Sequence, residues 1–333
     1  MKIIYQSYNC CNQNASGGVQ NRLRKVASLV AERGFNTELF NPFQTKLEKG
    51  DVLHVFMVSI DNYSLIQYAK NKGVKIVIST IIPLIDEAKL RLYKAINKLP
   101  IVTTYKLNRM SLTSADALIT ESSKESDFIC RYYQTTREKC HVIPNGTDFN
   151  TNSSNIIYDI LGFKRKYILQ VGRFDANKNQ LNVIKALKNS EYDLVLVGGP
   201  GDQKYFDKCK GEAEGCCNIH FVGWLKSNSE ELRSAYSNAE VVILPSFYET
   251  FGLVAVEGAG SGAKLILSKT LPINEFEVFE NCPQIDPHDI NDIREKVANS
   301  FNSCIDDGFT QNVQSFFSWD RIIDRHIEIY NSI

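Results

Sequence analysis

Short apolar runs alternate with amphipathic stretches along most of this chain, and that alternation limits the folds open to it. One series begins at Lys2–Tyr5 and a second begins at Tyr167–Val171. Most of the runs lack strict apolar–polar alternation, as expected of parallel strands that are covered on both faces. Because a helix usually connects each parallel strand to the next, the pattern predicts doubly wound α/β sheets.

The predicted elements fall into two sets. The first contains strands Lys2–Tyr5, Val52–Val58, Val74–Ser79, Ala117–Thr120 and His141–Ile143, with helices Val19–Arg33 and Ser64–Lys72. The second contains strands Tyr167–Val171, Leu194–Val197, Ile219–Val222, Val241–Leu244 and Leu265–Leu267, with helices Gln180–Lys188, Gln203–Lys210, Ser229–Ser237 and Gly252–Gly260. Each set is long enough for one domain.

A polar segment, Phe149–Asn155, separates the two sets and is interpreted as a linker. We predict one domain over residues 1–150, a second over 151–315, and a C-terminal helix over 316–333. That helix carries an apolar stripe of Trp319, Ile322, Ile323, Ile327 and Tyr330. Ligands of doubly wound folds bind beyond the carboxyl ends of the strands, so the expected site is a central cleft between the domains.

Cysteine spacing and hydropathy argue against a zinc-binding protein, a membrane-spanning protein and a secreted protein. None of the nine cysteines is spaced C-x-x-C, so the sequence predicts no zinc site and reduced thiols. No apolar run approaches the ~18 residues that a membrane span needs, and the first residues lack a signal-peptide pattern. A cytoplasmic protein is the expectation.

Charge is divided unevenly although the whole chain is neutral. Residues 1–150 hold 20 Lys and Arg against 13 Asp and Glu, a net +7, and the remainder is therefore −7. Six of these cations lie in Lys89–Arg109, which contains no acid. The segment is either a solvated helix face or a surface for an anionic membrane or a phosphate-bearing acceptor. No feature indicates nucleic-acid binding.

Glycines and cations follow predicted strands at two positions. Gly17 and Gly18 precede the first helix, where a backbone without Cβ atoms can approach a ligand, although the dinucleotide-binding fingerprint is absent. Arg173 and Lys178 lie between the strand Tyr167–Val171 and the next helix. Two cations near a helix start suit a diphosphate, and they would stabilise it as a leaving group.

Two further glycine-containing segments are weaker signals. LVLVGGPGD (Leu194–Asp202) is a strand followed by a glycine turn, but it lacks the lysine of a phosphate-binding P-loop. IHFVGWL (Ile219–Leu225) is a strand with a glycine bend, where backbone groups are placed to address a flat base. A core strand is the alternative interpretation of that segment.

The segment PSFYETFGLVAVEGAGSG (Pro245–Gly262) places Glu249 before a predicted helix and Glu257 inside it. Two carboxylates can form the acid and base of a glycoside hydrolase. They can instead accept hydrogen bonds from sugar hydroxyls, with Glu249 near a hexose and Glu257 near a ribose. A helix start between them favours a diphosphate, so the nearby cations fit the second interpretation better.

Taken together, these segments resemble the GT-B glycosyltransferases of glycosyltransferase family 4. The resemblance is carried, in the family's order, by Gly17–Val19, HVIPNGTD (His141–Asp148), VGRFDANKN (Val171–Asn179), LVLVGGPGD, HFVGWL and the E-x7-E spacing of Glu249 and Glu257. It implies two Rossmann-like domains facing a central cleft. It also implies a C-terminal helix that crosses back to the N-terminal domain.

The resemblance also implies a retaining enzyme that uses a nucleoside-diphosphate sugar and needs no metal or other cofactor. Arg173 and Lys178 match the diphosphate-binding pair. Glu249 matches the residue beside the donor sugar, and Glu257 matches the ribose contact. The remaining donor contacts are expected from Gly17, Gly18, Thr250, Phe251, Gly252 and Leu253.

The chain departs from the family pattern in its N-terminal half. Many members carry a histidine after an N-terminal strand, and the matching segment here, Lys75–Leu84, has none. Ser79 or Thr80 is the candidate replacement, and His54 is interpreted as a core residue. In the other half, Thr250 and Asn179 stand where glycine is frequent.

The sequence thus favours an enzyme that transfers a sugar from a nucleotide donor to a glycan or lipid-linked acceptor. Two alternatives remain open. One is a nucleotide-sugar epimerase or a phosphorylase of the same fold, and the other is a non-catalytic module that binds a nucleotide sugar. Peripheral contact with an anionic membrane is a further expectation.

Overall fold

The computed structural model describes residues 1–7, 18–82, 101–149, 154–306 and 308–333. Two compact units form within these ranges. Unit 1 comprises Met1–Asn145 with Trp319–Ile333, and unit 2 comprises Gly146–Ser318. None of the helices in the described ranges combines the length and apolar character that crossing a membrane requires.

A six-stranded sheet forms the centre of unit 1. Its strands are β1 (Lys2–Ser7), β2 (Asn36–Leu39), β3 (Val52–Phe56), β4 (Lys75–Ser79), β5 (Ala117–Thr120) and β6 (Cys140–Val142). They lie in the order β2-β1-β3-β4-β5-β6, and each neighbouring pair is parallel. The four helices described in the same part of the chain are α1 (Gly18–Glu32), α2 (Tyr63–Asn71), α3 (Thr104–Ser114) and α4 (Ser123–Tyr133).

Both faces of this sheet are covered, because successive side chains of each strand point to opposite faces. Ile3 belongs to the core cluster that contains α1 residues, whereas its neighbour Ile4 belongs to the cluster that contains residues of α2, α3 and α4. Burial on both faces explains why the strands are continuously apolar. It also accounts for His54, which is fully buried within β3.

Unit 2 repeats the same design. Its strands are β7 (Tyr167–Val171), β8 (Asp193–Val197), β9 (Ile219–Gly223), β10 (Val241–Leu244), β11 (Lys264–Ser268) and β12 (Gln284–Ile285). Their order is β12-β11-β10-β7-β8-β9, again parallel throughout. The helices are α5 (Ile156–Leu161), α6 (Gln180–Leu187), α7 (Gln203–Glu212), α8 (Glu230–Ser237), α9 (Leu253–Gly260), α10 (Ile290–Asn302) and α11 (Phe309–Phe316).

The chain ends in α12 (Trp319–Ser332), which packs on unit 1. Ile322, Ile323 and Tyr330 of the predicted stripe are buried there, and Ile327 is half-buried. The hydroxyl of Tyr330 contacts the Tyr5 hydroxyl at 3.2 Å and His54 Nδ1 at 2.7 Å. This helix therefore contributes to the core of a sheet that lies some three hundred residues earlier in the chain.

The predicted α/β fold with two parallel sheets is confirmed. Differences at the predicted elements are mostly one or two residues, as at α9, which begins at Leu253 rather than Gly252. The sequence analysis missed β2, β12 and the helices α3, α4, α5, α10 and α11. β2 and β12 are short edge strands, and α5 is barely more than one turn. Such elements carry too few apolar positions to show a period.

Candidate active site

The loop after β7 carries both predicted cations. The Arg173 side chain is 76% exposed and lies 3.5 Å from the Asp175 carboxylate. Asp175 accepts the N–H of Lys178 at 3.1 Å and so caps a short 3-10 helix at residues 176–178. Asn179 then adopts φ 60°, the left-handed conformation that asparagine tolerates and that glycine often supplies.

Lys178 and Glu249 meet although they are 71 residues apart in the chain. Lys178 Nζ lies 2.5 Å from Glu249 Oε1, and the two side chains are 20% and 13% exposed. Ser246 donates its hydroxyl to the same oxygen at 2.6 Å. No described residue hydrogen-bonds the other carboxylate oxygen, Glu249 Oε2.

Asparagine side chains join the loop after β7 to the loop after β10. The side-chain amide of Asn177 donates to the carbonyl oxygen of Tyr248 at 2.8 Å, and the backbone carbonyl of Asn177 accepts the N–H of Phe247 at 2.9 Å. The buried amide of Asn179 donates to the carbonyl oxygen of Pro245 at 3.2 Å. These bonds hold Lys178 opposite Glu249. The sequence analysis missed the role of both asparagines and of Ser246, because their partners are distant in sequence.

The start of α9 follows directly on Glu249. Thr250 is partly buried and the Phe251 ring is buried against Phe276. Gly252 adopts φ 111°, where a Cβ atom would also lie 3.2 Å from Leu244 Cδ2. Glycine at this position therefore permits the sharp entry into α9, whose free backbone N–H groups begin at Leu253.

Glu257 lies within α9 and faces a small pocket that is also lined by Asp148, Phe149 and Arg233. Its Oε2 accepts the hydroxyl of the buried Tyr236 at 2.7 Å. Burial raises the pKa of the Glu257 carboxyl. The structure therefore gives Glu249 and Glu257 separate surroundings and does not bring them together as an acid–base pair.

The glycine turn after β8 supports the Arg173 loop. A Cβ atom on Gly198 would lie 2.0 Å from the carbonyl oxygen of Gly172, so the two backbones approach too closely for any side chain. Phe174 donates its N–H to Gly199 at 2.9 Å, and Gly201 donates to Phe174 at 3.0 Å. The turn predicted as a weak phosphate-binding signal thus fixes the neighbouring loop.

Trp224 follows the glycine bend at the end of β9. Gly223 has φ 88°, and the indole beyond it is 70% exposed. A Cβ atom on Gly199 would lie 3.6 Å from Trp224 Cβ, which places the tryptophan beside the turn that supports Arg173. The sequence analysis assigned this segment's ligand contacts to the backbone and did not consider the indole.

The predicted unit 1 residues are less completely described. Gly17 lies outside the described residues, and Gly18 is the exposed first residue of α1. Ser79 is buried and contacts His54 Nε2 at 2.9 Å, while Thr80 is buried and donates to Glu125 at 2.6 Å. Both candidate replacements for the missing histidine therefore already have protein partners.

Two other predictions concern the basic segment of the N-terminal half and the binding of a metal ion. Of the basic segment Lys89–Arg109, residues 89–100 lie outside the described ranges. Among the residues that are described, no group of three or more His, Cys, Asp or Glu is arranged to hold a metal ion.

Comparisons with known proteins give a family match and several relatives. Residues 159–302, which include Arg173, Lys178, Glu249 and Glu257, match the family described as glycosyl transferases group 1. An uncharacterised glycosyltransferase of Methanocaldococcus jannaschii is 26% identical over 258 residues, which cover 71% of this chain and 63% of that protein. The match thus spans less than two thirds of that relative.

Solved structures resemble the whole chain. A sucrose-phosphate synthase from Thermosynechococcus elongatus matches with a TM-score of 0.78 at 18% identity, covering 100% of this chain and 99% of the other. The Anabaena protein HepE, in complex with UDP-glucose, matches with a TM-score of 0.68 at 17% identity and covers 100% of both chains. The fold is GT-B.

Proposed function

We propose that this chain is a retaining glycosyltransferase. It moves a hexose or related sugar from a nucleoside-diphosphate sugar to a glycan or lipid-linked acceptor, and it needs no metal ion. The observation that carries the proposal is the pairing of Lys178 with Glu249 in the loops that also hold Arg173 and the start of α9. The resemblance of the fold to a protein in complex with UDP-glucose supports the choice of donor.

The cations bind the diphosphate and stabilise it as it leaves. Arg173 presents a planar fork of N–H donors that matches two phosphate oxygens, and Lys178 presents a compact charge. The start of α9 adds backbone N–H groups and the positive end of the helix dipole. Donors aimed at charge that develops in the transition state contribute about 10²–10³ in rate each, which is what a metal ion would otherwise supply.

Glu249 binds the transferred sugar. Its Oε1 is occupied by Lys178 and Ser246, so Oε2 accepts a sugar hydroxyl. The same lysine contacts both the sugar-binding carboxylate and the diphosphate, which ties sugar recognition to departure of the leaving group. The leaving phosphate then accepts the acceptor's proton on the face where the bond broke, and the anomeric configuration is retained.

The nucleoside is held on either side of the diphosphate. Glu257, oriented by Tyr236, accepts from the ribose hydroxyls. The exposed Trp224 offers a flat apolar face on which a base can stack, an interaction worth about 1–3 kcal/mol for nucleic-acid bases. Backbone groups of Phe251, Gly252 and Leu253 complete the contacts to sugar and phosphate, with Thr250 beside them.

Acceptor choice and localisation complete the proposal. The net charge of +7 over residues 1–150 suits an anionic acceptor or peripheral contact with an anionic membrane. Cosedimentation with vesicles of phosphatidylserine and phosphatidylcholine at low salt tests the membrane contact. Absence of sedimentation at low salt would contradict it.

A thermal-shift screen against nucleotide sugars tests the donor class. A donor present at ~100 times its Kd adds about 2.7 kcal/mol to the free energy of unfolding, so the true donor stands out from other nucleotide sugars. Release of the nucleoside diphosphate with an acceptor then shows transfer. Interconversion of the sugar without nucleotide release would indicate an epimerase, and binding without turnover would indicate a binding module.

Arg173→Ala tests the site, with Arg165→Ala as the matched control. The two arginines flank β7, Arg173 at its carboxyl end and the exposed Arg165 at its amino end. We expect Arg173→Ala to abolish measurable transfer while the melting temperature stays near that of the wild type. Arg165→Ala should keep full transfer activity. A fully active Arg173→Ala enzyme would overturn the diphosphate assignment.

A further inference from the structure

Two strained residues lie at the carboxyl edge of the unit 1 sheet. Met57 follows β3 with φ 74°, and Ile81 follows β4 with φ 43°. Left-handed backbone is uncommon outside glycine, and for a β-branched residue such as isoleucine it is an outlier. Residues held in such conformations persist only where their surroundings fix them, and they cluster at functional sites.

The carboxylate of Glu125 in α4 accepts hydrogen bonds from the residues on both sides of Ile81. Its Oε1 accepts the Thr80 hydroxyl at 2.6 Å and the N–H of Ile82 at 2.8 Å. Its Oε2 accepts the N–H of Glu121, the residue that follows β5, at 2.7 Å. One carboxylate therefore joins the ends of two neighbouring strands and holds the left-handed turn between Thr80 and Ile82.

This contact replaces a more common role of such a glutamate. Ser122 caps α4 by accepting the N–H of Glu125 at 3.0 Å, and the spacing Ser122-x-x-Glu125 is that of a capping box. In a capping box the glutamate returns to the N–H of the capping residue itself. Here the carboxylate instead bonds the preceding residue, Glu121, and the turn after β4.

The surroundings of Glu125 are charged as well as buried. Its neighbour Glu121 is buried too and forms an ion pair with Arg22 of α1, whose guanidinium also reaches the carbonyl oxygen of Ile143. Burial, and then the charge of Glu121, raises the pKa of Glu125 to about 7. Arranging charged groups out of water at a sheet edge is costly, and such arrangements are concentrated at functional sites.

We propose that Glu125 is a positioning residue of the transfer reaction. Its carboxylate holds the Thr80–Ile82 turn, with Ile81 left-handed, in the conformation that the reaction uses. The inference rests on the proposed function, since a ligand of a doubly wound unit lies at this edge of the sheet. Glu125 itself touches no substrate, because its carboxylate is buried and occupied by the three donors.

The test separates positioning from folding by comparing paired variants. Thr80→Val removes the hydroxyl that Glu125 accepts, and Thr80→Ser keeps it. Glu125→Gln removes one of the two acceptor oxygens. Ile81→Gly supplies a residue that adopts φ 43° without strain, so it should compensate for Glu125→Gln when the two are combined. UDP release from UDP-glucose and GDP release from GDP-mannose are measured for each, together with the Kd of UDP and GDP.

We expect Glu125→Gln and Thr80→Val to lower kcat at least tenfold on the donor that the wild type uses. The Kd of the free nucleotide should stay within twofold of the wild-type value. Thr80→Ser should remain near the wild type, and adding Ile81→Gly to Glu125→Gln should restore kcat at least threefold. Folded Thr80→Val and Glu125→Gln proteins with wild-type kcat would overturn the inference, as would a double variant no more active than Glu125→Gln.

A second readout distinguishes failure of this inference from failure of the proposed function. Hydrogen exchange at the amides of Ile82 and Glu121 should accelerate at least tenfold in Glu125→Gln, whatever the reaction is. A wild-type protein that binds no nucleotide and releases none from any nucleotide sugar contradicts the proposed function. Unchanged exchange at both amides contradicts the role of Glu125.

Discussion

The carboxyl edges of the two sheets each carry a cation–carboxylate pair, but water reaches the two pairs to different extents. In unit 2, Lys178 and Glu249 are 20% and 13% exposed. In unit 1, Arg22 and Glu121 are 2% and 7% exposed. Similar pairs at the carboxyl edges of the two sheets are thus partly exposed to water in unit 2 and almost fully buried in unit 1.

The two pairs should also respond differently to loss of one member. A fully buried pair contributes little net stability while both charges are present, because the cost of desolvation offsets their attraction. Removing one charge leaves the other buried and unpaired. In the partly exposed pair, water and ligand can replace the missing partner. Substituting one member of each pair therefore tests whether the difference is real.

The largest effect is expected from Arg22→Met in unit 1. This change leaves Glu121 buried without its cation and should lower the free energy of unfolding by about 3–5 kcal/mol. Urea denaturation at pH 7.5 measures the loss. Because burial already raises the pKa of Glu121, protonation relieves part of the penalty, so the loss should be smaller at pH 5.5.

Arg33→Met is the matched control for Arg22→Met. Arg33 also lies in unit 1 and pairs with Asp320 and Asp324 of α12, but these groups are exposed. Its substitution should change the urea midpoint little. If both variants lost the same stability, burial would not be what distinguishes the Arg22 pair, and the comparison between the two sheets would fail.

The next effect is expected from Lys178→Met in unit 2, and it should fall on activity. Under the proposed function, loss of this cation removes one group that stabilises the leaving diphosphate, so kcat should drop about 10²–10³-fold. The urea midpoint should stay near that of the wild type. Lys188→Met is the control, because Lys188 forms an equally short 2.5 Å pair with Glu212. A large loss of stability in Lys178→Met would make both pairs structural.

Sequence reasoning placed the residues that meet in unit 2 better than those that meet at the unit 1 edge, and the cause is physical. Arg173 and Lys178 lie in one loop between a clear strand and a clear helix, so their shared position follows from local pattern. Glu249 precedes a helix whose glycines and apolar run are equally local. Parallel strands all end at one edge of the sheet, which brings such loops together without further information.

The unit 1 edge could not be predicted in the same way. Arg22 and Glu121 are 99 residues apart, and charged residues in amphipathic segments are usually solvated. Glu121 lies in the turn that leads into α4, a helix that the sequence analysis did not identify. The left-handed backbone of Ile81 has no sequence signal, because the residue is neither a glycine nor an asparagine and the groups on both sides of it bond to the distant Glu125.

A smaller effect, on the pH dependence of stability, is expected from two fully buried histidines of unit 1. Burial lowers the pKa of His54, and it lowers the pKa of His326 to about 3. The unfolded chain protonates these rings near pH 6.5, whereas the folded unit does not. Stability should therefore be lost as the pH falls below about 6.5, and His326 should contribute about 1.4 kcal/mol per pH unit, or about 2 kcal/mol by pH 5.

His326→Leu isolates this effect, because neither ring nitrogen of His326 has a hydrogen-bond partner among the described residues. The variant should lose less stability than the wild type between pH 7 and pH 5, although the raised pKa of Glu125 acts in the opposite sense in both proteins. The fluorescence of the chain's two tryptophans follows the unfolding of the two units separately, since Trp319 belongs to unit 1 and Trp224 to unit 2. If His326→Leu and the wild type lost equal stability between pH 7 and pH 5, the assignment of this pH dependence to His326 would be wrong.

The smallest effect is expected at Glu257, and it tests how this buried carboxylate differs from that of Glu125. Glu125 is held by three donors, whereas Tyr236 is the single described residue that donates to Glu257, at 2.7 Å. Glu257 therefore keeps capacity for a ligand, and Tyr236→Phe should weaken nucleotide binding about 2–10-fold, equivalent to one hydrogen bond of about 0.5–1.5 kcal/mol. Calorimetric titration with UDP measures the change.

Tyr167→Phe is the control for this last comparison. Its hydroxyl also donates a buried 2.7 Å hydrogen bond in unit 2, to the carbonyl oxygen of Ala235, but the acceptor is backbone. Both variants should lose similar stability, because each loses one buried hydrogen bond. Weaker nucleotide binding in Tyr236→Phe alone would show that the Tyr236 hydroxyl orients Glu257 for a ligand. Equal nucleotide affinities in both variants would indicate that Glu257, like Glu125, bonds only to other groups of the protein.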